Sequence, residues 1–168
     1  MKFEQIKPDP KYHLCHLNIG PAQAPLFEPQ MAGFVSRLAE INQLAAESPG
    51  FVWQLFVDIY NPEDIAMYGE PGLLFNMSVW DSIQSLWNFT YSGEHAIVMQ
   101  SRRQWFQEMS TPNYVLWWIP AGEIPTLMEA KARINYLTSH GPSPFAFTFK
   151  DPYPADAELY SPERLLTV

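Results

Sequence analysis

The stretch LLFNMSVWDSIQSLW, residues 73–87, decides the fold because its hydrophobic period changes halfway. From Leu73 to Trp80 the residues alternate, with Leu73, Phe75, Met77 and Val79 set against Leu74, Asn76, Ser78 and Trp80. That is the period-two pattern of a strand. Asp81 then stands where a helix cap is needed, with Gln84 in the reciprocal position, and Ile83, Leu86 and Trp87 supply one apolar side. A strand running straight into a capped helix is half of a β-α repeat, so the flanking segments determine the architecture.

Upstream, Phe51 to Asp58 alternates as a strand, and the loop YNPEDIAMYGEPG joins it to Leu73. Met31, Phe34, Val35, Leu38, Ile41 and Ala45 form a helical stripe that Ser48-Pro49-Gly50 ends. Before it, YHLCHLNI (residues 12–19) reads as a first strand, with Cys15, Leu17 and Ile19 on one face and His16 and Asn18 on the other. Downstream, Ser92-Gly93 breaks the helix, and a further helical stretch runs from Glu94 to about Glu108 before the strand Tyr114 to Ile119. Thr126 and Glu129 open another helix, with Leu127, Ala130, Ile134 and Leu137 inward and Gly141 as its stop. FAFTF places Phe145, Phe147 and Phe149 on one face of a last short strand.

The order is β-α-β-β-α-β followed by an added C-terminal helix and strand, an α+β chain of the ferredoxin-like split βαβ kind. Such a sheet leaves one face without helices, and here that face carries apolar residues. Two copies closing into a dimeric α/β barrel would bury it, which makes a homodimer the expected assembly. Residues 1–150 read as a single domain and residues 151–168 as a Pro-rich, acidic tail.

Composition narrows the function classes. A net charge of −8 over 168 residues repels a phosphate backbone, so nucleic acid is not an expected partner. No apolar run approaches the roughly 18 residues of a membrane span, and the N-terminus does not read as a signal peptide, so a cytoplasmic protein is expected. Cys15, the one cysteine, is expected to be a buried, reduced thiol. An aromatic share of 15% favours a pocket or an interface. Phosphate-binding glycine loops, dinucleotide fingerprints, HExxH, CxxC and GxSxG are all missing from the sequence.

The most pointed constellation follows Gly93, where His95, Val98, Met99, Arg102 and Phe106 fall on one helical face. An imidazole in an apolar wall can act as acid or base, or ligate a metal or haem, while Arg102 binds an anionic group. Against that stands a structural reading in which His95 bonds a backbone carbonyl and Arg102 snorkels to the surface. Asn76, Ser78 and Trp80 share one strand face, as do His16 and Asn18, giving polar groups for an apolar pocket or a partly solvated face. Trp80, Trp87, Trp105, Trp117 and Trp118 could line a pocket or fill core and interface.

The segments LNIGPAQAPL, PGFVWQL, LLFNMSVWDSIQSLWNFTYSGEHAIVMQSRRQWF, YVLWWIPAGEIPT and SHGPSPFAFTF resemble the bacterial domain-of-unknown-function family 3291 over roughly residues 12 to 150. That resemblance implies the dimeric α/β-barrel fold and a homodimer, and it carries no catalytic residues. A weaker similarity, to spheroidene-monooxygenase-like proteins, rests on Phe89, Tyr91, His95, Arg103 and Trp105-Phe106 and implies an association with haem. The fold's other members imply oxidative chemistry on small molecules by analogy.

The leading expectation is therefore a small-molecule-binding protein, monooxygenase-like and either haem-dependent or cofactor-free, acting on a hydrophobic substrate. In it His95 and Arg102 are the catalytic candidates. Asn18, Asn76, Trp80, Trp87, Tyr91, Val98, Met99, Arg103 and Trp118 are the ligand-binding candidates, and His95 is the ligand of the iron if haem binds. The alternatives are a non-catalytic module that binds or senses an apolar ligand, and a structural interaction protein.

Overall fold

A computed structural model describes residues 2–155. Strand β1 spans Tyr12–Pro21, α1 Ala32–Glu47, β2 Phe51–Gln54, α2 Pro62–Ile65 and β3 Leu73–Trp80. Helices α3 and α4 span Ile83–Tyr91 and Gly93–Gln100, and β4 (Tyr114–Pro120) and α5 (Leu127–His140) follow. The four strands form one antiparallel sheet in the order β2-β3-β1-β4. This is the α+β, ferredoxin-like arrangement that the element order implies, with α5 added.

The side-chain alternation read from the sequence fixes the two faces. Cys15, Leu17 and Ile19 lie opposite Val79, Met77 and Phe75 on β3 and opposite Trp117, Val115 and Asn113–Tyr114 at the end of β4. On this side Cys15, Leu17, Val115 and Trp117 are completely buried, packed with Ala130, Ile134 and Leu137 of α5. The added helix thus covers the face that the sequence reading reserved for a second copy. An uncovered apolar face is no longer a reason for pairing, although other surfaces stay available to a partner.

The opposite face carries two apolar clusters. One gathers Leu14, Trp80, Ile83, Leu86, Leu116, Trp118, Phe147 and Phe149, and the other Leu26, Met31 and Trp105 with Phe34, Val98 and Phe106 against them. Between them the strands present His16, Asn18, Ser78 and Asn76.

Several local expectations need correction. The cap of α3 is Ser82, whose Oγ accepts from Ser85 N at 3.2 Å. Asp81 instead accepts from the hydroxyls of Ser82 (2.8 Å) and Ser85 (2.6 Å), and Gln84 turns away to Asn88. The Asp81 and Ser85 side chains occupy the place a Cβ on Gly50 would take, and Gly50 has φ 81°, so this turn requires glycine twice over.

Strand β2 stops at Gln54 rather than Asp58, after a register irregularity between Phe51 and Trp53. The chain then leaves the sheet because the Asp64 carboxylate accepts from Asp58 N (2.9 Å) and Asn61 Nδ2 (2.9 Å), folding the loop onto itself. The helix expected to reach Glu108 ends at Gln100 and gives way to a 3-10 turn at Arg102–Gln104. Phe147 makes only a single bridge to Leu116, so FAFTF is not a strand, and Ala146 is buried as fully as Phe147. Most of the tail expected at 151–168 lies outside the described residues.

Candidate functional site

On the helix-bearing face, the band between the two apolar clusters is incompletely covered. Asn76 is exposed in the middle of β3, and His16 and Asn18 are half-buried in the central strand β1. The helices above explain this. Helix α4 has no fully buried residue, and within α1 itself only Ala45 is fully buried. Val98 of α4 joins one cluster while His95, one turn earlier, packs on Phe89 beside the other, so α4 crosses the polar band without sealing it.

His95 Nδ1 lies 3.0 Å from the carbonyl oxygen of Thr90. A carbonyl only accepts, so Nδ1 carries the proton and the neutral ring keeps its lone pair on Nε2. The ring centroid is 4.5 Å from that of Phe89, which itself stacks on Trp80 at 5.1 Å. Burial pushes the His95 pKa below the ordinary histidine value, and the bond to Thr90 opposes that shift. His16 is pushed down to about 3 by burial, and the neighbouring His95 adds to the shift because two imidazolium charges would repel. The pair is neutral at pH 7. The His16 ring has no hydrogen-bond partner among the described residues; its neighbour is Tyr114, with centroids 6.2 Å apart.

A cavity of about 180 Å³ opens beside His95, walled by Leu44 of α1, Ser48 just past its end, Phe89, and Ser92 to Glu94. It exists because α3 and α4 meet at Ser92-Gly93, where Ser92 Oγ donates to the Asn88 carbonyl and Gly93 takes φ 60°. Haem does not fit here: the space is below the roughly 300 Å³ of a drug-sized ligand pocket, and Phe89 stands against the imidazole. Among the described residues no group of three or more His, Cys, Asp or Glu side chains could hold a metal ion.

Arg102 is placed differently from His95. Its Nη2 donates to the Ile19 carbonyl at 3.2 Å. Asn113, with its amide oxygen assigned toward the guanidinium, accepts from Nη1 at 2.7 Å and Nη2 at 3.0 Å. The guanidinium also lies 5.4 Å from the Phe106 ring centroid. These contacts tie the segment after α4 to the end of β1, where Gly20 is required: a Cβ there would come within 2.7 Å of Phe106. Arg102 therefore serves first as an anchor that holds α4 across the band.

The remaining candidates divide. Asn18 and Asn76 are directly opposite each other in the band. Trp80 is completely buried, donating to Ser78 Oγ at 3.0 Å, and forms the band's floor on the Phe89 side. Trp87 and Tyr91 lie with ring centroids 4.1 Å apart, tilted by 41°, and both pack on Phe149. Trp118 is buried in the cluster, with Nε1 donating to the Tyr153 carbonyl at 2.8 Å. Arg103 points to solvent, 3.7 Å from Glu108 in an exposed pair. Met99 is half-buried on α4. Sequence reasoning underweighted His16, Phe89 and Ser48. For His16 the signal was present, since it alternates with Asn18, but only the fold brings His95 above it.

No curated protein matches the chain. Among solved structures, the chain is similar to a conserved protein from Methanosarcina mazei Go1, with 9% identity over 66% of this chain and 93% of that one, TM-score 0.44. It is similar to SnoaB, a cofactor-independent oxygenase from Streptomyces nogalater, with 15% identity over 67% and 95%, TM-score 0.43. MupZ from Pseudomonas fluorescens shares 12% identity over 92% of this chain and 97% of its own, TM-score 0.39. Likenesses this distant transfer no activity. The sequence itself is more specific: residues 13–163 match the family described as Domain of unknown function (DUF3291), and the chain belongs to it.

Proposed function

We propose that the polar band beneath α4 binds a small, largely apolar molecule carrying one hydrogen-bond donor, and that His95 Nε2 accepts from it. The observation that carries this reading is the neutral His16–His95 pair. One ring has its tautomer fixed with a lone pair to spare, the other has no hydrogen-bond partner among the described residues, and both border a half-covered sheet face between apolar clusters. Asn18 and Asn76 supply further polar contacts, and Phe89, Trp80 and Val98 the apolar walls. Arg102 keeps α4 in place.

The same nitrogen can do chemistry. A buried neutral imidazole whose other nitrogen is held by a carbonyl is a general base for an acidic O–H or C–H. On this reading the protein is a monooxygenase-like enzyme that needs no haem, and without turnover it is a binding module.

1-Naphthol is a suitable probe, with naphthalene as the control lacking the hydroxyl. Naphthol is expected to move the imidazole resonances of His16 and His95, and His95→Phe to weaken it about tenfold or more, the effect of losing one buried acceptor. Equal binding of naphthol and naphthalene, or unmoved imidazoles, would overturn the proposal. Incubation under air then separates the two versions. Conversion lost in His95→Phe means an enzyme, and quantitative recovery means a binder.

A further inference from the structure

A second, larger cavity lies at the loop between β2 and β3. It measures about 400 Å³ and is lined by Phe27, Ile59, Tyr60, Ile65, Glu70 and the backbone of Gly69 to Gly72. Phe27 and Tyr60 come from segments more than thirty residues apart, yet their rings stack at 5.4 Å with planes 19° apart. They do so while 61% and 76% exposed, and Phe56 and Met67 nearby are exposed as well. Exposed aromatic surface beside a formed cavity is where ligands bind.

The residues that line this cavity carry charge of one sign. Glu70 is its one ionisable lining residue apart from Tyr60, and it makes no ion pair among the described residues. The Lys131 ammonium stands beside Gly69, 3.5 Å from where a Cβ there would lie, and is held by the Tyr68 carbonyl, to which it donates at 2.6 Å, and by the Tyr68 ring, whose centroid is 4.8 Å away. Asp64 is likewise committed to Asp58 N and Asn61. The chain as a whole carries −8. Aromatic rings attract cations through their negative faces, and a free carboxylate beside them adds attraction of the same sense.

We propose that this cavity is a binding site for an organic cation with an apolar body, of the aromatic or alkyl ammonium class. The apolar body fills the space over Ile59 and Ile65, and the ammonium lies between the Phe27–Tyr60 pair and the Glu70 carboxylate. It shares no lining residue with the cavity beside His95, so the two proposals are tested separately.

The test titrates the full chain with benzyltrimethylammonium, benzyl alcohol and phenylacetate while following aromatic carbon resonances of Phe27 and Tyr60. The cation is expected to move both rings and bind most tightly, with phenylacetate weakest. Glu70→Gln, at an exposed position, should lower cation affinity about threefold to fivefold and leave benzyl alcohol unchanged. Tyr60→Leu should narrow the preference of cation over alcohol while the chain stays folded. Equal binding of cation and alcohol, tightest binding of phenylacetate, an unaltered affinity in Glu70→Gln, or rings that do not shift would each overturn it. His95→Phe should change none of these numbers.

Discussion

The two faces of the sheet are built from the same strands and do opposite things. Toward α5, Cys15, Leu17, Met77, Val79 and Trp117 are sealed, and a short network ties the helix down. There Glu129 accepts from Trp117 Nε1 at 3.1 Å and from Arg133 Nη2 at 2.9 Å, and Arg133 Nη1 reaches the Phe145 carbonyl at 2.8 Å. Toward α4, alternate residues of the same strands are His16, Asn18 and Asn76, half-buried or exposed beneath a helix with no buried residue of its own. The difference separates the face that carries the packing from the face that holds the proposed site. Tight packing on one side holds the strands straight enough for the other side to leave a gap.

Neighbouring residues that point to opposite faces give the largest test. Leu17→Ala removes a completely buried side chain from the sealed face and should destabilise the chain by about 2–5 kcal/mol in denaturant unfolding. Asn18→Ala, one position along, should stay within about 0.5 kcal/mol while weakening naphthol. A loss above about 2 kcal/mol in Asn18→Ala would break the contrast, because the polar band would then be part of the structural core.

Acid provides the next test. The folded His16 pKa is depressed to about 3, below the value in the unfolded chain, so the unfolded state binds the proton first as pH falls. The stability this neutral histidine contributes is fully present above about pH 6.5 and is lost as pH falls toward 3, at about 1.4 kcal/mol per pH unit. His95, depressed in the same direction, adds to the upper part of that window. Unfolding followed between pH 7 and 4 should therefore steepen with acid, and His16→Leu should flatten the curve. An unchanged slope in His16→Leu would show that His16 already meets water enough to titrate normally.

The fold was legible because hydrophobic period is local: the alternation through 73–80 and the stripe from Met31 name their elements without help. Boundaries moved where side chains outside the pattern intervened. Asp64 ended β2 early, and Ser82 took the cap because its hydroxyl, not the Asp81 carboxylate, meets the Ser85 amide. The site was half legible. His95, Asn18 and Asn76 come from sequence, but the partnership of His16 with His95 needs strand β1 under helix α4, a contact spanning about eighty residues. Arg102 showed the converse limit, since helical spacing put it beside His95 and only the fold supplied Ile19 and Asn113 as its acceptors.

The smallest effect bears on how firmly α5 is held. Thr126 caps it, with Oγ1 accepting from Glu129 N at 3.1 Å, so Thr126→Ala should cost about 1 kcal/mol and Thr126→Ser should recover most of it. Cys15 reports whether that loss is local. Its thiol lies under α5, and burial raises its pKa, so it reacts with a thiol reagent only when the cover opens. If α5 lifts as a unit, Thr126→Ala should speed Cys15 labelling about fivefold, the population change that 1 kcal/mol implies. An unchanged labelling rate would mean that the thiol is reached through an opening that leaves the Thr126 cap in place, because global unfolding, like the lifting of α5, would itself become about fivefold more populated.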